Sequence, residues 1–103
     1  MDSKRLTLDD YIGTRELDVL DANGNLARRI KVTIGKPIQL ADREWTCPYR
    51  ISGLGDDAIY QVNGLDAIQA IKCAFTVIDG ILKGSEPFQN GRLKWNGDND
   101  LGF

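Results

Sequence analysis

The stretch Leu65–Lys83, LDAIQAIKCAFTVIDGILK, contains no proline and one interior glycine, Gly80. Projected at about 100° per residue, Gln69, Lys72, Thr76, Asp79 and Lys83 gather in a stripe roughly 80° wide. Ile68, Ile71, Phe75, Ile78 and Leu82 form a bulky apolar ridge. Ala67, Ala70 and Ala74 form a small-residue strip beside it, with Val77 and Ile81 close by. The apolar arc covers about 220°, against the ~100° stripe of an ordinary surface helix. The pattern predicts one helix over 65–83, capped by Asn63 with Asp66 in its first turn, and covered on more than one side. Phe75 is then a core ring whose loss costs about 3–5 kcal/mol.

Upstream the periodicity changes from 3.6 to 2. Leu17 and Val19 alternate with Glu16 and Asp18, Asn23-Gly24 is a strong hairpin turn signal, and Leu26, Ile30, Val32 and Ile34 share one parity beyond it. These residues predict a hairpin over roughly 15–34. After the break at Gly35-Lys36-Pro37, Ile38-Gln39-Leu40 suits a short edge segment. Trp45, Cys47, Tyr49 and Ile51 then share one parity of a further strand, with Thr46, Pro48, Arg50 and Ser52 on the other. Pro48 lacks the N–H that a ladder requires, so it implies an edge position or a bulge. Gly53–Asp57 turns the chain into a partner strand, Ala58–Val62. Gly84-Ser85-Glu86-Pro87 ends the helix, and Gly91–Trp95 suits a last short strand. The expected fold is α+β: an antiparallel sheet of about four to five strands packed on one long helix in the C-terminal half. The chain reads as a single domain over 1–103, with residues 1–12 as a loosely attached arm.

With 103 residues, the chain can bury roughly 60–70% of its unfolded surface on folding. Its hydrophobic content of 42% and charged content of 27% are those of a globular domain rather than a disordered one. A net charge of −2 supplies no global field for a phosphate backbone, so nucleic acid is an unlikely partner. The opening MDSKRLTLDD lacks the apolar core of a signal peptide, and no apolar run is long enough to span a bilayer. Two cysteines do not make a secreted disulfide framework, so the expected location is cytoplasmic, with reduced thiols.

Chemistry-bearing motifs are sparse. There is no histidine to act as base for Cys47 or Cys73, and two cysteines alone do not complete a zinc site. Cys47 reads as a buried structural thiol. Gly53-Leu54-Gly55-Asp56-Asp57-Ala58 imitates a dinucleotide-binding G-x-G-x-x-A, but its aspartates would repel a pyrophosphate and no helix starts there. Asn96-x-Asp98-x-Asp100 begins like a calcium loop and lacks its glycine spacing and final glutamate. Arg28, Arg29, Lys31 and Lys36 are the densest basic cluster and suit a solvated strand face. No catalytic residue, metal ligand or cofactor is expected.

Trp45-x-Cys47-Pro48-Tyr49-x-Ile51-x-Gly53, Gly64-Leu65-Asp66-Ala67-Ile68-Gln69-Ala70 and the closing Trp95-x-Gly97…Gly102-Phe103 resemble a family of small uncharacterised bacterial domains with W-x-C-P-[FY] and G-[LVI]-D-[AS]-[LI]-Q-A elements. The resemblance spans roughly residues 15–103 and implies a bacterial, cytosolic protein; it carries no activity and no site residue. Two functional expectations stand together. The first is a non-catalytic protein-interaction or accessory domain whose partner is another protein or itself, as a homodimer through helix 65–83. The alternative is a small-molecule-binding domain or weak enzyme with a pocket between sheet and helix, lined by Trp45, Tyr49 and Tyr60, with Arg50 at its rim as an anion anchor.

Overall fold

The structure is a computed structural model that describes Leu8 and residues 10–103. Six strands and two helices follow in order: β1 (Tyr11–Leu20), β2 (Leu26–Gly35), β3 (Ile38–Ala41), β4 (Glu44–Ser52), β5 (Ile59–Gly64), α1 (Ala67–Lys83), α2 (Glu86–Gln89) and β6 (Leu93–Lys94). Among the described residues all strand pairings are antiparallel. The sheet runs β6-β1-β2-β4-β5, and β3 lies on the same edge of β4 as β2. The class is the expected α+β, with six strands rather than four to five.

The first hairpin forms as its pattern dictates. Leu17 opposes Ile30 and Arg15 opposes Val32, so the inward parity of each strand meets its counterpart. Gly24 takes φ 82° in the turn, and the Asp21 carboxylate accepts the amides of Asn23 and Asn25. β1 starts at Tyr11, so the last two residues of the expected arm belong to the sheet. The remainder of that arm lies outside the described residues, apart from Asp10 and Leu8, whose side chain approaches Gly35.

Pro48 corrects the expectation of an edge or a bulge. It sits buried in a strand paired on both sides. β2 accompanies β4 from Tyr49 to Ser52 and β3 accompanies it from Glu44 to Thr46, so Pro48 falls where one partner hands over to the other. A residue without an N–H is tolerated at that gap in the ladder.

Helix α1 begins two residues later than its pattern implies. Asn63 belongs to β5, and Asp66 is the N-cap, its carboxylate accepting the Gln69 amide at 2.7 Å. The Gln69 side chain reaches back to the Leu65 amide at 2.6 Å, closing a capping-box arrangement. The helix is buried on one face only. Ala70, Ala74, Ile78 and Leu82, an i, i+4 row, are fully inaccessible, together with Leu17, Val19, Ile30, Val32 and Cys47 of the sheet. The alanines let the helix approach β5 closely, as their small size suggests. The bulky ridge is split: Ile78 and Leu82 are core, whereas Ile68 is 70% and Phe75 37% exposed. Within one chain the sheet covers one face of α1, and Phe103 of the C-terminal segment reaches Phe75 on a second.

The reason lies in how α1 crosses the sheet. It leaves β5 at one end, packs against β5 and β4, and delivers the chain to β6 on the far side of β1. With its sheet contact centred on β5 and β4, α1 leaves a cleft on each flank. The C-terminal segment partly fills one of them: the Arg15 guanidinium stacks 3.8 Å above the Trp95 ring and 4.9 Å from the Phe103 ring, and donates to the Leu101 carbonyl at 3.0 Å. Phe103 in turn packs on Phe75, ring centroids 5.9 Å apart. The other corner stays open.

Candidate functional site

The open corner lies between the β4–β5 hairpin and the last turns of α1. It is a cleft of ≈ 400 Å³ lined by Tyr49, Ile51, Leu54, Asp56, Tyr60 and Ile81. Strand pleating builds it: Tyr49 and Tyr60 are directly opposed across β4 and β5, so both rings project onto the helix side, with centroids 6.1 Å apart and planes tilted by 31°. Tyr49 is buried beneath and Tyr60 half-exposed above. Leu54 comes from the turn, and Ile81 closes the helix side.

Asp56 is the charged group of the cleft. One of its oxygens accepts the Ala58 amide at 3.0 Å and the other accepts the Tyr60 hydroxyl. These two bonds, the phenol's first, hold its carboxyl below the usual range. The same contact raises the Tyr60 hydroxyl, while burial and then the nearby carboxylate raise that of Tyr49. Near neutrality the cleft therefore holds one carboxylate and two intact phenols. A carboxylate stabilised in this way is a weak base, and the arrangement suits binding rather than proton transfer.

The four residues expected to line a pocket are divided by the fold. Tyr49 and Tyr60 meet in the cleft. Trp45 shares their face of β4 but sits at the other end of the strand, opposite Gly64. Arg50 occupies the opposite parity, paired with Thr33 and Ile59, and is not at the rim. The anion anchor is thus replaced by Asp56, which inverts the charge of the site. Asp56 has a signal in the sequence, a carboxylate four residues before a tyrosine in a strand-connecting turn. Leu54 and Ile81 have none beyond their apolar character.

The other sites that the sequence raises take structural roles. Cys47 is fully buried, and burial pushes its thiol up to about 11, which makes it unreactive. Cys47 and Cys73 are both free. Among the described residues no group of three or more acidic or cysteine side chains is arranged to hold a metal ion. Arg29 pairs with Asp18 at 3.2 Å, Lys31 lies opposite Glu16, and Arg28 donates to the Gly53 carbonyl, so the basic cluster is tied to neighbouring groups. Among the described residues, no helix is long and apolar enough to cross a membrane.

On the other flank of α1, a groove of ≈ 190 Å³ runs beside β1, with Ile12, Val32, Ile34, Phe75 and Phe103 in its lining. Ile12 is 54% exposed. Among the described residues the adjoining edge of β1 is paired only at Asp18 and Val19, by β6, and at the Leu20 amide, which donates to the Arg92 carbonyl. Among the described residues, Tyr11–Leu17 has no strand on that edge.

Among known proteins, a family model described as a domain of unknown function, DUF6968, matches residues 13–103. An uncharacterised domain family over most of the chain agrees with the expected resemblance. No curated protein and no solved structure matches.

Proposed function

We propose that this chain, which belongs to the DUF6968 family of domains of unknown function, is a non-catalytic protein-interaction domain and that its first partner is a second copy of itself. The observation that carries this reading is the edge Tyr11–Leu17, unpaired among the described residues, which runs beside an apolar groove that exposes Ile12 and Phe75. An unpaired strand edge is a template for another strand, and apolar side chains beside it add the burial that backbone pairing alone lacks. Two copies related by a twofold axis would satisfy both edges and cover both grooves at once. Arg15 and Glu16 give the edge both charge signs, so copies would not repel. Helix α1 contributes one flank, through Phe75, rather than its whole apolar arc. The two free thiols suit a reducing compartment; a single-domain bacterial, cytoplasmic protein is the setting this reading assumes.

Light scattering after size exclusion tests it. Wild type is expected at the mass of two chains. Ile12→Asp, an exposed position, is expected at one chain, whereas Ile81→Asp on the opposite flank leaves the mass unchanged. A wild-type protein that stays at one chain up to its solubility limit refutes self-association.

A further inference from the structure

The cleft on the opposite flank of α1 differs from the groove in carrying charge. Its walls are Ile51, Leu54, Ile81 and the two tyrosine rings, and its single charge is Asp56. Among the described residues Asp56 has no ion-pair partner, since the three ion pairs join Arg29 to Asp18, Lys83 to Asp79 and Arg92 to Glu86. The basic residue held at the neighbouring turn, Arg28, is bonded to the Gly53 carbonyl and does not line the cleft. Asp57 adds a second negative charge at the same turn, its carboxylate accepting the Gly53 amide. The site is therefore an apolar and aromatic slot with an uncompensated negative mouth.

We infer that this cleft receives an arginine side chain presented by an extended protein segment that adds to the outer edge of β5. Three features of the slot specify that chemistry. A cation over a tyrosine face is attracted by the ring quadrupole, and two tilted rings offer that face at different depths. A planar guanidinium stacks on such rings and also donates to a carboxylate, which a compact ammonium does less well. Each Asp56 oxygen already accepts one bond and keeps a lone pair for a second. The apolar floor matches the methylene stem behind the charge.

The edge specifies the carrier. Among the described residues β5 is paired only with β4, so the outward amides and carbonyls of Ile59–Gly64 are open to a further strand. A strand added there places alternate side chains on the helix face, beside Tyr60. A free small cation gains nothing from that edge. This inference concerns a surface separate from the β1 edge and stands whether or not the chain self-associates.

The test is a titration of the isotope-labelled full chain, followed by backbone amide and isoleucine methyl resonances. The probe is the peptide acetyl-Thr-Val-Arg-Val-Thr-amide, with a second peptide carrying neutral citrulline in place of arginine. The arginine peptide is expected to give saturable shifts at Leu54, Asp56, Tyr60 and the Ile81 methyls. The citrulline peptide, and Asp56→Asn with the arginine peptide, are each expected to bind about tenfold more weakly. Asp56 is at the surface, so Asp56→Asn keeps the fold, and its spectrum verifies that. Absent shifts, equal binding of the citrulline peptide, or an unaffected Asp56→Asn would each overturn the inference. N-acetylarginine amide serves as the free cation: weaker binding than the peptide supports strand addition, and equal binding refutes it.

Discussion

Replacing Gly64 with alanine probes the closest contact between helix and sheet. A Cβ built at Gly64 would lie 2.5 Å from the Ala70 nitrogen and 2.9 Å from its Cα, both backbone atoms of α1. Ordinary van der Waals contact begins at 3.4 Å, so α1 would have to retreat by about 0.9 Å at its first turn. Overpacking a well-packed site costs typically 1–3 kcal/mol, and the upper half applies here because a helix backbone cannot swing aside as a side chain does. Alanine would recover about 0.5–1 kcal/mol by restricting the unfolded chain. The expected net loss is about 1–2.5 kcal/mol, or roughly 5–15 °C in midpoint for a chain of this size. Urea denaturation measures it. Gly80, inside α1, where an added methyl group would meet nothing within 4 Å, is the control and should accept alanine without loss. Because the clash is with the backbone of Ala70, Ala70→Gly should not rescue Gly64→Ala. A Gly64→Ala midpoint equal to that of wild type, or full rescue by Ala70→Gly, would refute the geometry of the helix seat.

Two further outcomes follow from burial. Phe75→Ala should cost about 1–2 kcal/mol, below the usual range for a core ring, because the ring is 37% exposed and shares its cover with Phe103; Ile78→Ala, fully buried, should cost about 2–5 kcal/mol, and a reversed order in urea would contradict the orientation of α1. The Cys47 thiol, pushed from 9.0 to about 11 by burial, keeps its proton in the folded chain while the unfolded chain loses it. Its stability contribution is therefore whole below pH 9 and lost as pH rises toward 11, by roughly 2–3 kcal/mol. Comparing wild type with Cys47→Ala across that window isolates the effect, and parallel curves would contradict it.

Much of the fold is legible in residue order because its elements obey local rules. Leu17, Val19, Ile30 and Val32 announce their shared face by parity, Asn23-Gly24 announces its turn, and the alanine strip announces a close helix seat. The misreadings share a different origin. Pro48 reads as an edge residue when a ladder has one partner along its length, and here it has two in succession. Phe75 reads as core because the apolar arc of a helix records what can be buried, not which strands the helix packs against. The charge of Asp56 repels phosphate, and the same charge, set beside Tyr60 by the hairpin register, defines the cleft. Arg50 does lie on the opposite parity of its strand, as its spacing implies, and that parity keeps it out of the pocket it was expected to guard.

The handover at Pro48 also separates two lengths of the sheet. On one side β4 binds β2 with one half and β3 with the other, while β5 follows it unbroken from Trp45 to Arg50 on the opposite side, so the β3–β4 turn at Asp42 and Arg43 projects beyond both ladders. β3 is exposed throughout. Residues can be gained or lost at that turn without sliding β2 along β4, because the β3–β4 and β2–β4 pairings are separate and the β4–β5 ladder fixes β4 across Pro48. The core is thus insulated from changes of chain length at this exposed turn, where the fold can vary at little cost.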